Sequence, residues 1–181
     1  PKHFGQLFNG INLGHVGDLI SGEKPYPLCG WSASVLMGCM AAYCAGKDFV
    51  YQEGDCLVHG PVQDAIYAAC EGKQMVFGSN RLMGVAQSLF LIRNSWLLHF
   101  IKDYLDKPSD RDMLPEHKFA ALEAGWPNEY GRFSFGCDRD RPIPWDDEVF
   151  YVQQLNGEEL EEWKRRFLPP PPITTALPYV T

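Results

Sequence analysis

The stretch from Leu28 to Ala45, LCGWSASVLMGCMAAYCA, runs for eighteen residues without a charge, and no other segment is so apolar for so long. Its length sits at the lower limit for crossing a bilayer core, and a buried helix of a globular domain reads nearly the same. Gly46 stands where a left-handed residue closes a helix, and Lys47 follows to favour the negative end of the dipole. The reading is one helix over 28–45, covered on all sides by protein or lipid. Aromatic Trp31 and Tyr43 near its ends are candidate assembly contacts.

The helix signals that follow suggest a mainly α protein. Pro61 at a first helical position, with Val62, Ala65, Ile66 and Ala69 on one face and Gly72 beyond, predicts a second helix over about 61–71. Apolar residues at 82, 85, 89, 92, 96 and 100 predict a third, longest helix from about Arg81 to Leu105. Phe49, Val50 and Tyr51 make a short β-prone run that reads equally well as loop. Shorter helices are expected at about 115–124, opened by Pro115, and about 157–167. In the last of these Asn156 caps, Glu158 and Glu159 begin, and Lys164, Arg165 and Arg166 end the helix.

The expected architecture is a single helical domain with an extended N-terminal arm and a proline-rich C-terminal tail. A glycine-rich arm covers 1–27, a helical core 28–106, and a turn-rich region with two short helices and the tail 107–181. Beginning at Pro1 rather than Met, the chain invites the expectation of a removed leader or a longer precursor. In the tail, Pro169 to Pro172 impose an extended rod that presents Ile173, Leu177, Tyr179 and Val180 as further assembly contacts.

A net charge of −7, with cations clustered only at Lys164–Arg166, argues against nucleic acid as a partner. No cofactor and no metal site is expected: His15 and Asp18 have no third ligand at motif spacing, and Asp146, Asp147 and Glu148 read as a solvated turn.

Two family resemblances attach to particular residues. Cys29 and Cys39 stand in a C-x9-C spacing, with Cys56 and Cys70 after them, and this resembles the twin-cysteine helical-hairpin subunits of mitochondrial respiratory complexes. The resemblance implies disulfides among Cys29, Cys39, Cys44, Cys56 and Cys70, whose pairing the spacing leaves open. It also implies a non-catalytic accessory subunit of a respiratory-chain or ATP synthase complex at the mitochondrial inner membrane. Its partners would be other protein subunits, with membrane lipid against 28–45. The alternative lies in PLCGWSAS around Cys29, Gly60-Pro61-Val62 and Asn94-Ser95-Trp96, which resemble papain-like cysteine hydrolases. That resemblance implies Cys29 as nucleophile and Asn94 as the residue orienting its base. No histidine stands between Val62 and Asn94, so the accessory-subunit reading leads.

Overall fold

A computed structural model describes residues 30–81, 84–108, 110 and 112–169. The helices are α1 (Gly30–Cys44), α2 (Val62–Ala69), α3 (Leu97–Leu105), α4 (Pro115–Gly125) and α5 (Gly157–Phe167). Between them lie β1 (Phe49–Gln52), β2 (Cys56–His59), β3 (Met75–Gly78), β4 (Ala86–Ile92), β5 (Tyr130–Arg132) and β6 (Phe150–Gln153). The fold is therefore a mixture of helix and sheet, and the mainly α expectation is wrong.

A four-stranded sheet in the order β1-β4-β3-β5 forms the centre, and β2 and β6 form a separate antiparallel ribbon. β4 pairs antiparallel with β1 and β3, while β5 runs parallel to β3 and ties the chain beyond residue 107 to the same sheet. Successive side chains of a strand point to opposite faces. Along β3 and β4, Met75, Phe77, Phe90 and Ile92 enter one apolar cluster with Val35, Cys39, Leu97, Phe100, Tyr104, Phe119 and Leu122 from α1, α3 and α4. Val76, Ala86, Leu89 and Leu91 enter a second cluster with Val62 and Ile66 of α2 and Tyr151 of β6. The ribbon repeats the device. Tyr151 faces that second cluster, whereas Phe150 and Val152 face a third built on Trp163 of α5.

The misreading of 81–105 follows directly from this layering. A strand covered on both faces carries no polar alternation, so Leu89-Phe90-Leu91-Ile92 matches a helical template as well as a β one. The polar pair Arg93-Asn94 marks the real boundary, where a 3-10 turn over Asn94–Trp96 leads into α3. The other helices lie close to their expected limits. Gly46 adopts φ +64 after α1, and Asn156 and Glu159 form a reciprocal capping box on α5.

α1 has fifteen residues, about 22 Å at 1.5 Å each, against roughly 30 Å for a bilayer core. Among the described residues no helix is long and apolar enough to cross a membrane. The inner-membrane assignment thus loses the span on which it rested. The expected disulfides also fail, since Cys39, Cys44, Cys56 and Cys70 are all free thiols. Cys39 sits in the cluster under α1, while Cys56 and Cys70 sit in the cluster across the sheet. The sheet therefore stands between Cys39 and the pair Cys56 and Cys70. With the spans, the disulfides and the all-helical fold removed, the respiratory-subunit assignment has no structural support left. The arm over 1–27, Cys29 and the contacts Ile173, Leu177, Tyr179 and Val180 lie outside the described residues.

Candidate interaction surface

α1 contains no charged residue, yet it is not enclosed on all sides. Val35, Leu36 and Cys39 face the core, and Gly38 admits the ring of Phe49, so the helix lies directly on β1. On the opposite side Met37 (52% exposed), Met40 (44%), Ala41 and Cys44 follow one another at helical spacing and meet solvent. Trp31, expected as an assembly contact, instead packs inside, edge-on to Tyr51, Phe90 and Phe119. Tyr43 is exposed.

Two contacts orient α3 against α1. Ser32 Oγ and Tyr104 OH lie 2.6 Å apart, joining the start of α1 to the end of α3. Asn94 Nδ2 donates to Lys47 O at 3.1 Å and, more weakly, to Ala42 O at 3.5 Å, joining the end of α1 to the chain just before α3. The helices are therefore antiparallel neighbours. α3 buries Leu97, Phe100 and Tyr104, and it exposes Leu98 (45%) and Leu105 (52%) with Ile101 between them. Two uncharged stripes thus run along one helix pair, broken on α3 by the ion pair of Lys102 with Asp106 at 2.7 Å. Met37 and Met40 on α1 and Leu98 and Leu105 on α3 are apolar side chains left to solvent among the described residues.

The other flank of α3 is closed. His99 stacks on Trp96 with centroids 4.0 Å apart and meets Trp126 edge-on at 4.8 Å. Asp103 Oδ2 accepts from the Trp126 indole at 2.7 Å and lies 3.2 Å from His99 Nε2. Among the described residues, His99 Nε2, Trp96 Nε1 and Tyr130 OH make no hydrogen bond. Burial pushes the Tyr130 hydroxyl up to about 12, against the nearby Trp96 indole, which favours its ionised form.

A polar network lies on the far side of the sheet. The buried Asp138 carboxylate accepts from Ser88 Oγ at 2.5 Å and from Asn80 Nδ2 at 3.2 Å, which pins the 136–140 loop to β4. Gln153 Nε2 donates to the Glu53 carboxylate and to Asp55 Oδ1, while Arg139 Nε donates to Gln153 Oε1. Burial, followed by the neighbouring Asp55 charge, raises the Glu53 carboxyl above its ordinary value. These bonds tie the β1–β2 turn and the 138–139 loop to β4 and β6.

Four of the described cysteines are buried thiols whose ionisation the fold disfavours. Burial raises the thiols of Cys39, Cys56 and Cys70, and pushes Cys137 up to about 11, which leaves them protonated and inert near neutral pH. Of the residues that resemble papain-like enzymes, Cys29 lies outside the described residues, and Asn94 stands at the end of α1, where its Nδ2 donates weakly to Ala42 O. Asn94 is moreover held by Lys47 O and by Asp48, whose Oδ1 accepts from its backbone N–H at 2.8 Å. Gly60 is required by the fold: it has φ +77, and a Cβ there would run into the carbonyl oxygen of Glu148.

Asp146 pairs with Arg166 at 2.9 Å, beside Asp147 and Glu148 in the expected turn. His15 and Asp18 lie outside the described residues. No family model, no curated protein and no solved structure matches this chain. Met37, Met40, Leu98 and Leu105 are the site residues that sequence reasoning missed. Their signal was available in part, since the helix over 28–45 has no polar face to turn toward water.

Proposed function

We propose that this protein is a non-catalytic subunit of a protein assembly, held there through the uncharged face of α1 and the neighbouring stripe of α3. The exposure of Met37 and Met40 on a helix without a single charge carries this reading. Water in contact with such a face costs free energy that a partner surface recovers, at about 25 cal/mol per Å² of apolar area covered. The described polar clusters support the same view, because each is occupied in joining one element to another.

The experiment compares extracts containing the wild type with extracts containing Met37→Asp/Met40→Asp. Wild type should migrate on native gels well above the mass of the chain, and the double variant should fall to the single-chain position with unchanged far-ultraviolet dichroism. Migration of the wild type as a lone chain would refute the reading.

A further inference from the structure

We propose that residues 168–172 are a recognition segment for a partner protein whose groove of aromatic rings takes a proline rod, a contact independent of the α1 face. The run Leu168-Pro169-Pro170-Pro171-Pro172 is a sequence signal that the docking reading leaves unused. Leu168 and Pro169 belong to the described residues, and 170–172 lie outside them.

α5 presents the start of the run. Its capping box fixes one end of the helix. At the other end Phe167 packs against His59, Trp163 and Phe150, with ring centroids 3.9, 4.9 and 5.9 Å away. A residue before proline is pushed out of the helical region, and Leu168 accordingly leaves α5 in an extended conformation, φ −98 and ψ 141. Leu168 is 53% exposed, and Pro169 is exposed as well. The run therefore starts extended and in solvent, on an anchored helix.

Proline chemistry limits what can read it. Each ring holds φ at about −65° and removes the backbone N–H, so the run lacks the donors of a helix or a strand ladder. What it offers instead is carbonyl acceptors and apolar rings, which a groove of tryptophan and tyrosine side chains matches with indole and hydroxyl donors and with faces to stack on. A polyproline II rod has three residues per turn, so Leu168 and Pro171 share one edge, Pro169 and Pro172 a second, and Pro170 stands alone on the third. The first two edges supply the pairs of apolar residue and proline that such grooves hold.

The neighbouring residues narrow the class of groove. Arg166 stands three residues before Pro169, where grooves of the SH3 type take a cation. That guanidinium is already engaged: its Nε lies 2.5 Å from Glu162 Oε1, its Nη1 2.9 Å from Asp146 Oδ1, and it sits over the Trp145 ring at 5.6 Å. α5 also keeps Arg166 and Phe167 helical, off the line of the rod. The segment therefore suits a groove that reads an apolar residue followed by prolines and needs no flanking cation, as in EVH1 domains.

The test titrates an isotope-labelled EVH1 domain with the unlabelled full chain and follows the indole resonance of its groove tryptophan. Wild type should shift that resonance saturably. Pro169→Ala/Pro172→Ala and Leu168→Asp should each weaken binding by about tenfold or more, and Pro170→Ala by about threefold or less, all with unchanged far-ultraviolet dichroism. An SH3 domain that requires the arginine should bind about tenfold more weakly than the EVH1 domain. Absence of a saturable shift overturns the inference and leaves the prolines as a helix stop and spacer. Binding indifferent to the Pro169 and Pro172 pair, or a preference for the SH3 domain, overturns it too. Met37→Asp/Met40→Asp should bind the EVH1 domain as wild type does, so failure of the α1 docking reading and failure of this one are separate results.

Discussion

At the scale of single residues, Glu53 shows how a network can be satisfied and still costly. Its carboxylate accepts from Gln153, but burial and Asp55 raise its folded-state value above the ordinary 4.5. A raised carboxyl stabilises the fold when protonated; that contribution is present below the unfolded value and is lost as pH rises through the folded one. At neutral pH the charged form therefore carries a penalty. Glu53→Gln, which keeps the shape and an acceptor for Gln153, should raise the melting temperature at pH 7. The gain should shrink as pH falls and vanish below about 4.5, where the wild type is neutral as well. A melting series across that range decides it. Lys118 behaves differently, since its ammonium is 1% exposed, 2.5 Å from Asp110 Oδ1 and over the Tyr104 ring. Lys118→Ala removes this buried ion-pair and cation–π contact and should destabilise the fold by about 1–3 kcal/mol in denaturant unfolding.

At the scale of elements, α1 is two-sided although its composition is not. Leu36 is 8% exposed and Met37, one position along, is 52% exposed. Leu36→Lys should therefore abolish cooperative unfolding or cost several kcal/mol, while Met37→Lys should change stability by about 0.5 kcal/mol or less. Equal effects from the two would show that α1 is enclosed on all sides after all. α2 offers the opposite case, a helix that covers its sheet imperfectly. Val50, Val58, Val62, Ile66 and Leu89 line a gap of about 20 Å³, with Gln52, Gln63 and Tyr67 also along it. This is room for one further methyl group in an apolar setting. Val62→Ile should fill it and add about 0.5–1 kcal/mol, read from the denaturant midpoint at constant slope.

At the scale of the whole molecule, three apolar clusters stacked through a sheet and a ribbon leave Met37 and Met40 of α1 uncovered by the described residues of an acidic chain. The docked state and the isolated state should therefore differ in solubility more than in folding. Met37→Asp/Met40→Asp should lower the tendency to associate at high concentration and leave the thermal transition nearly unchanged, as scattering and dichroism recorded together would show.

What the sequence by itself determined was local. Asn156, Glu159 and the charges of α5 are satisfied within one helix and its cap, and Gly46 and Pro115 act within one turn, so their reading needed no distant partner. What only the tertiary structure decided depended on covering. Leu89 to Ile92 became a strand because α1 and α4 lie on one side of the sheet and α2 and Tyr151 on the other, which erased the alternation that identifies a strand. Cys39 is kept from Cys56 and Cys70 by the sheet between their clusters, a separation that spacing along the chain does not express. The open face of α1 is the converse case: eighteen uncharged residues announced burial, and the fold supplied enough neighbours to cover only one side.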